Sequence, residues 1–285
     1  MIALFGGLIA ALSWGTSTLF AGKASRQIGP ASTLAWVAIT GVVIMTPVLI
    51  WFGPPQQATI TNAVLVAIAA VGSVLGLRLT YSALARGKVG VVVAITSTEG
   101  AVAAVIALAM GEQSNLLMIL GLVAASGGVA AVGLGRHSGD SEHAVRDNRR
   151  AAMTAGAASV VFGSSLWAAG SVAVRVGGPW VVFSSRLLGL FMIALPLIIQ
   201  RRLQMERPGV YLACSAGVLE VIGFLGFVWG AGAGLAVAAV VATQYATIAI
   251  LLSRIVFKER LSPVQIGGVA VVLVGVILIA GSKAI

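Results

Sequence analysis

Ionisable residues are scarce in this sequence: only 9% of its 285 residues are charged, whereas 59% are hydrophobic. Apolar residues at this density, spread over nearly the whole length, exceed what a soluble domain can bury. The composition therefore excludes a soluble globular protein. The apolar runs have the length of roughly 20 residues that crosses a bilayer, so the sequence predicts an integral membrane protein with lipid as its surroundings.

Cysteine and histidine are almost absent. The single cysteine, Cys214, cannot form an internal disulfide, and we expect it to pack inside the apolar run that contains it. Neither histidine, His137 nor His143, falls in an apolar run. An HExxH motif and a nucleotide-binding glycine-lysine loop are also missing, so metalloprotease, ATP-driven and histidine-relay mechanisms lack their parts. We expect no enzyme, no cofactor and no metal site.

Acidic residues are outnumbered, with 8 against 18 basic residues and a net charge of +10. The basic residues lie mostly at the ends of apolar runs, which is typical of cytoplasmic loops, so we interpret the charge as a topology signal and expect no nucleic-acid partner. At the odd-numbered connections they are Lys23, Arg26, Arg86, Lys88, Arg136, Arg146, Arg149, Arg150, Arg201, Arg202, Arg207, Arg254, Lys258 and Arg260. Only Arg175 and Lys283 lie at the opposite ends of the spans, on the other side of the membrane. The positive-inside rule then predicts cytoplasmic odd connections and external termini.

The first apolar run has no basic residues before it, so it does not resemble a cleaved signal peptide.

The apolar runs predict ten transmembrane helices, at about 2–21, 31–52, 62–85, 90–110, 114–135, 151–174, 179–200, 208–230, 233–256 and 261–281. Their continuous apolar character excludes a barrel of short alternating strands. One long polar stretch, residues 136–150, divides the chain and predicts a solvated cytoplasmic linker. The sequence thus predicts a five-helix unit at 1–135 and another at 151–285.

The two units look like copies of one module. The same offset of 147 residues separates Glu112 from Glu259, Gly121 from Gly268 and Gly128 from Gly275. Pro30 and Pro47 are seventeen residues apart, as are Pro179 and Pro196, and SWGTSTLFAG near the start can be laid over VFGSSLWAAG. Because each unit has an odd number of helices, the second must enter the membrane in the opposite sense, which predicts an inverted repeat with a substrate site near the midplane.

Four ionisable residues stand out deep within predicted spans: Arg78, Glu99, Arg186 and Glu220. A charge in hydrocarbon costs at least roughly 2.5–3.5 kcal/mol, so each needs a partner or a function. Spacing allows Arg78 and Glu99 to lie at similar depth, and likewise Arg186 and Glu220. Two interpretations stay open: two buried ion pairs, or an arginine that binds a substrate carboxylate while a glutamate binds an ammonium or a proton. Arg78 could also extend to the interface.

Aromatic and uncharged polar residues also lie inside spans. Trp14, Trp36 and Trp167, with Tyr81 and Tyr245, would either wall a cavity or pack against other helices and lipid. The fourth span carries Thr96-Ser97-Thr98-Glu99, and the ninth carries Thr243-Gln244-Tyr245 at the matching place. Such groups must find partners inside the bundle, either on other helices or on a substrate. Glu112 and Glu259, at predicted helix ends, are expected to stabilise the start of the helices that follow them, from Gln113 and from Leu261.

Several short features together resemble the drug/metabolite transporter superfamily, specifically its ten-helix EamA-type bacterial exporters. They are Trp14-Gly15, Arg186-Leu187-Leu188, and the Gly111-Glu112 and Lys258-Glu259 boundaries before glycine-spaced helices. Val37 stands where the second half has Arg186, and Glu99-Gly100 stands where members often have an acidic residue followed by proline. The resemblance implies a central cavity lined by the first four helices of each unit, with the fifth helices as a peripheral scaffold whose glycine seams would suit a homodimer.

The resemblance further implies a secondary exporter of small molecules in the bacterial inner membrane, with amino acids, especially aromatic ones, as the closest substrates. Nucleotide sugars, drugs and an intramembrane lipid-modifying enzyme with Glu99 and Glu220 as acid and base are the alternatives. The candidate substrate-binding residues are Trp14, Ser17, Trp36, Arg78, Tyr81, Ser97, Glu99, Trp167, Arg186, Glu220, Gln244 and Tyr245.

Overall fold

The computed structural model describes residues 1–87, 89–133 and 142–257, with isolated residues between 264 and 278. All regular elements in these ranges are helical. They are α1 Ile2–Gln27, α2 Pro30–Phe52, α3 Ile60–Arg86, α4 Val89–Thr96, α5 Glu99–Ala109, α6 Leu116–Gly133, α7 Glu142–Val176, α8 Gly178–Gly189, a π-helical turn Leu190–Ala194, α9 Leu195–Ile199, α10 Arg207–Ala231, α11 Leu235–Ala242 and α12 Tyr245–Phe257. The predicted all-helical class is confirmed for this part of the chain.

Seven helical segments within the described ranges are long and apolar enough to cross a membrane, namely Ile2–Gln27, Pro30–Phe52, Ile60–Arg86, Arg150–Val176, Gly178–Ile199, Arg207–Ala231 and Leu235–Leu252. The shorter apolar helices Glu99–Ala109 and Leu116–Gly128 accompany them. Large apolar side chains such as Ile60, Val64 and Trp51 are exposed on the outside of the bundle, where lipid rather than water must cover them. The chain is therefore a multi-pass membrane protein.

The predicted spans differ from the observed helices in three places. The fourth and ninth spans are not continuous: each is interrupted, at Ser97–Thr98 and at Thr243–Gln244. The last part of the predicted linker is helical, because α7 begins at Glu142. The rest of that linker, His137 included, lies outside the described residues, as do Lys258, Glu259 and Lys283. The predicted tenth span lies outside the continuously described ranges.

Backbone chemistry explains where several helices begin and end. The turns before α2 and α8 each place a glycine at positive φ, Gly29 at 79° and Gly177 at 95°, a conformation that costs glycine little. Pro30 and Pro179 follow at the start of the helices, where a missing N–H removes no hydrogen bond. Pro47 lies inside the regular helix α2, whereas Pro196 is the second residue after the π-helical turn. The two prolines that occupy matching positions in the sequence repeat therefore lie in different local helix geometry.

Two long helix pairs organise the packing. α1 lies along α10, and α3 lies along α7. Both contacts depend on glycine, because a Cβ atom on Gly6 would lie 2.5 Å from the carbonyl oxygen of Gly226, and one on Gly72 would lie 2.7 Å from Cβ of Ser165. Small residues let membrane helices approach closely where apolar burial offers little driving force. α11 is buried on all sides, at the centre of the bundle.

Substituting Gly6 by alanine should lower stability by about 1–3 kcal/mol, because the added Cβ atom would overlap the backbone of α10. Thermal unfolding of the detergent-solubilised protein measures the effect. Gly127→Ala is the matched control, because a Cβ atom at Gly127 in α6 meets no atom within 4 Å. Equal unfolding temperatures for the two variants would contradict the close backbone contact of α1 with α10.

Candidate functional site

Two interrupted helices meet at the centre of the bundle. Between α4 and α5 the hydroxyl of Thr98 donates to the carbonyl of Ile95 at 2.8 Å, and between α11 and α12 the amide of Gln244 donates to the carbonyl of Val240 at 2.9 Å. These side chains supply hydrogen bonds near the places where the helical ladders are interrupted. Interrupted membrane helices require such internal partners, because no water is present in the hydrocarbon region to replace them.

The two interruptions are in contact with each other. Thr96 Oγ1 and Tyr245 Oη form a hydrogen bond of 3.0 Å. A Cβ atom on Gly100 would lie 2.7 Å from Thr243 Oγ1, so glycine at this position lets the start of α5 approach the end of α11. Glu99 is the first residue of α5 and Tyr245 the first of α12. Both residues are thus held at the contact between the two halves of the chain.

A buried ion pair lies on the second half of the chain. Arg186 on α8 and Glu220 on α10 are 2% and 5% exposed, and Arg186 Nη2 lies 3.4 Å from Glu220 Oε2. The hydroxyl of Ser17 donates to Glu220 Oε1 at 3.2 Å, which attaches the pair to α1. The guanidinium carbon lies 5.8 Å from the ring centre of Phe224, within range of a cation–π interaction. Of the two interpretations left open for Arg186 and Glu220, the ion pair is the one formed in this structure.

Glycine also makes room for this arginine. A Cβ atom on Gly41 of α2 would lie 2.7 Å from both Cγ and Cδ of Arg186. The aliphatic stem of Arg186 therefore lies against the backbone of α2, and a larger residue there would displace it. Because the stem is confined in this way, the guanidinium is held next to Glu220 rather than free to extend along the helix.

A small aromatic cavity lies between the ion pair and the helix interruptions. Its lining is Trp14, Thr18, Leu77, Thr80, Tyr81, Glu99, Phe162, Glu220 and Tyr245. The ring of Trp14 contacts Phe162 and Tyr245 edge to face, with centroids 6.5 and 6.4 Å apart. The cavity volume is about 30 Å³, which is room for one or two water molecules. In this conformation the cavity is too small for an organic substrate.

Glu99 is the unpaired charge of this cavity. Its side chain is 4% exposed and lines the cavity, and the cavity lining contains no basic residue. Trp14 Nε1, Tyr81 Oη and Arg186 Nε are also buried without a hydrogen-bond partner. A buried carboxylate without a partner is costly, so it is retained at a functional site or takes up a cation. The cavity is therefore lined by two acidic residues, of which Glu220 is paired with Arg186, and by two unused donors, Trp14 Nε1 and Tyr81 Oη.

Seven predicted site residues form this central site, which we define as Trp14, Ser17, Tyr81, Glu99, Arg186, Glu220 and Tyr245. Arg78 does not join them: its side chain is exposed on α3, and the possible pair with Glu99 is not formed because Glu99 points inward. Trp36 is also elsewhere, because its indole donates to the carbonyl of Gln204 at 3.0 Å beside the start of α2.

The remaining predicted residues lie near the central site but do not line its cavity. Ser97 is buried at the first helix interruption, and Gln244 is buried at the second, bonded to its own helix. Trp167 lines two other cavities, near the end of α7. Sequence reasoning missed Thr18, Leu77, Thr80 and Phe162. The aligned segments SWGTS and VFGSS place Phe162 opposite Trp14, so the repeat itself was a signal for that residue.

Glu112 stabilises a different helix from the one predicted. Its carboxylate oxygens accept from the backbone N–H of Ala236 at 3.0 and 3.3 Å, in the first turn of α11. A carboxylate at a helix N-terminus is favourable, so the kind of role was predicted correctly. The helix was wrong, because sequence distance favours α6 whereas the fold brings α11 to the α5–α6 connection. Glu112 thereby joins the first half of the chain to the second.

The fold and this site define a multi-pass membrane protein with a closed polar centre. The model of the EamA-like transporter family matches residues 1–134 of the chain. No curated protein matches the chain. A solved structure titled "Crystal structure of protein" is similar with a TM-score of 0.75 and 18% identity, over 99% of this chain and 98% of that one. At this identity the likeness concerns the fold alone.

Proposed function

We propose that the protein is a secondary transporter that moves small amphipathic molecules across the membrane by alternating access. The observation that carries the proposal is the unpaired carboxylate of Glu99 in a closed aromatic cavity, at the contact between two interrupted helices. Transporters bind substrate near the midplane at such interruptions, because discontinuous helices there expose polar groups inside the bundle. The family match over residues 1–134 agrees with this class.

Reciprocal contacts support two copies of one unit facing in opposite directions. Ser17 donates to the carbonyl of Ala216 at 3.2 Å, and Ser165 donates to the carbonyl of Ala69 at 2.7 Å. Ala69 and Ala216 are 147 residues apart, the offset of the sequence repeat. The first helix of each half thus bonds the third helix of the other in the same way. In our proposal one unit rocks against the other about this shared contact.

A rocking movement is needed because the cavity is too small for a substrate. Sites for small molecules typically enclose about 300–1,000 Å³, whereas this cavity has about 30 Å³ of free space. A larger cavity of about 550 Å³ lies beside Trp167 of α7. We interpret the conformation as closed at the centre, with opening toward the α7 end as the first step of substrate entry or release.

Amino acids with aromatic side chains are the substrates that we propose first. Glu99 would bind the ammonium group, and the rings of Trp14, Phe162 and Tyr245 would contact the apolar body. Arg186 would bind the carboxylate bidentately, by sharing or leaving its contact with Glu220. The unused donors Trp14 Nε1 and Tyr81 Oη would complete the hydrogen bonds of a polar substrate.

Organic cations are the second candidate, favoured by the pairing of Arg186 with Glu220. With that pair formed, Glu99 is the acidic residue that can bind a positive group, and Arg186 is not free to bind a carboxylate. A monocationic drug has no carboxylate and needs no arginine in its binding site. A nucleotide sugar fits less well, because its diphosphate would meet two carboxylates and one arginine. An intramembrane enzyme using Glu99 and Glu220 is less favoured, because Glu220 is already occupied by Arg186 and Ser17.

The cellular setting follows the same proposal. We place the protein in the bacterial inner membrane, with both termini outside and the connection between the halves in the cytoplasm, as the basic residues indicate. We also propose a homodimer whose interface is formed by the glycine-spaced helix α6. Cysteine labelling from either side of sealed membrane vesicles tests the orientation.

Counterflow in proteoliposomes tests the proposed function with three matched probes. Phenylalanine has both charged groups, phenethylamine lacks the carboxylate, and phenylpropionate lacks the ammonium group. We expect exchange of phenylalanine and phenethylamine but not of phenylpropionate, because Glu99 requires a positive group. Exchange of phenethylamine alone would favour the organic-cation candidate. Exchange of phenylpropionate alone, or of none of the three, would contradict the proposal.

A further inference from the structure

Arg175 is the basic residue that the topology pattern does not explain. It lies in the last turn of α7, and it was one of two basic residues assigned to the sparsely charged side of the membrane. The central site does not use it. A positive charge is selected against on the translocated side, so an isolated arginine there needs its own physical reason.

The surroundings of Arg175 form a groove, which we define by Ile60, Val64, Leu65, Met110, Trp167 and Arg175. Its volume is about 590 Å³. Ile60 is 82% exposed and Val64 is 51% exposed, so the α3 wall faces outward rather than into the bundle. In a multi-pass membrane protein, lipid covers such a face. The groove therefore opens to the bilayer and not to the central cavity.

The charge in this groove has no counterion among its neighbours. The lining residues include no acidic side chain, and Arg175 Nε is buried without a hydrogen-bond partner. Thr61 contributes an exposed hydroxyl at the same end of the groove. A guanidinium presents several N–H donors in a plane, which matches the oxygens of a phosphate better than a single acceptor. The Nε–H group of Arg175 is therefore available to an acceptor from outside the protein.

We infer that this groove binds one phospholipid, with the headgroup phosphate on Arg175 and an acyl chain along Ile60, Val64 and Leu65. The dimensions agree, because Trp167 lies two helical turns from Arg175, about 12 Å deeper along α7. Anionic headgroups bind best, since the groove adds a positive charge and no negative one. The inference rests on the membrane location and not on the proposed transport, so failure of either leaves the other standing.

Lipid titration of the full-length protein in dodecyl maltoside, followed by native mass spectrometry, tests the site. The probe is palmitoyl-oleoyl-phosphatidylglycerol, with the matching phosphatidylcholine as reference. We expect Arg175→Gln to weaken the first phosphatidylglycerol site about tenfold and to remove its preference over phosphatidylcholine. Arg207→Gln is the matched control, because Arg207 is exposed at the start of α10 and outside the groove. Unchanged binding by Arg175→Gln would overturn the inference.

A second variant keeps the charge and blocks the groove. Val64→Trp should also weaken phosphatidylglycerol binding, because the ring would occupy the path of the acyl chain; normal binding by this variant would overturn the inference, and it decides the matter if Arg175→Gln does not fold. Glycerophosphoglycerol, the same headgroup without chains, should bind far more weakly than the lipid. Equal binding of that headgroup, or displacement of the lipid by phenylalanine, would likewise overturn the inference.

Discussion

Replacing Glu99 by glutamine should reduce counterflow of phenylalanine and phenethylamine by about tenfold to a hundredfold. The amide keeps the size of the side chain but removes its charge, and a hydrogen bond to a charged group contributes about 1.5–3 kcal/mol. Folding should change little, because the lining of the cavity contains no basic side chain that depends on the Glu99 carboxylate. Initial rates in proteoliposomes, normalised to the amount of folded protein, measure the effect.

Glu206→Gln is the control for this experiment. Glu206 is exposed just before α10 and its side chain makes no capping hydrogen bond, so the same chemical change should leave transport unaltered. If Glu99→Gln transports both probes at the wild-type rate, the unpaired carboxylate has no part in substrate binding. The proposal for this site would then be withdrawn, whereas the fold and the family match would be unaffected.

Replacing Glu220 by alanine should lower stability by about 3–5 kcal/mol. The substitution leaves the guanidinium of Arg186 buried without its counterion, and removing one partner of a buried pair has effects of this size. Ser17 also loses the carboxylate that accepts its hydroxyl. The loss should be visible as a much lower unfolding temperature in detergent. Alanine at exposed Glu206 is the control, because surface substitutions usually change stability by less than about 0.5 kcal/mol.

The double variant Arg186→Met with Glu220→Leu separates stability from function. Replacing a buried pair by apolar residues of similar volume is often neutral or stabilising, so most of the stability should return. Transport of phenylalanine should not return, because the variant has no arginine to bind the substrate carboxylate. It also has no ion pair that could rearrange during rocking. Recovery of transport together with stability would show that the pair only fills space. A double variant as unstable as Glu220→Ala would contradict the assigned ion pair.

Charge pairing illustrates how far sequence patterns reach. An ion pair of Arg186 with Glu220 was one of the two interpretations that their depth in neighbouring spans allowed, and this pair is formed. The same spacing allowed a pair of Arg78 with Glu99, which the structure does not form. Depth follows from counting residues, but the direction of a side chain depends on the rotation of each helix, and with an exposed Arg78 and an inward Glu99 the pair cannot form.

Polar residues inside apolar runs show a similar limit. Thr96 to Glu99 and Thr243 to Tyr245 were recognised as matching clusters, yet their positions did not reveal that both helices are interrupted there. Hydropathy averages over a whole run and does not record a local loss of backbone hydrogen bonds. The interruptions are stable because side chains such as Thr98 and Gln244 bond the neighbouring carbonyls, and because glycine at Gly100 lets the two segments meet.

Composition alone determined that this chain is helical and crosses the membrane. With 59% apolar residues in long runs, the chain belongs in the hydrocarbon region of a bilayer, where helices satisfy the backbone hydrogen bonds. The spacing of glycines, prolines and acidic residues also indicated a duplicated unit. Only the tertiary structure decided which polar residues meet, since helix rotation and partner choice depend on contacts between distant segments. For that reason Glu112 stabilises α11 instead of α6, and Glu99 is left as the unpaired charge of the central cavity.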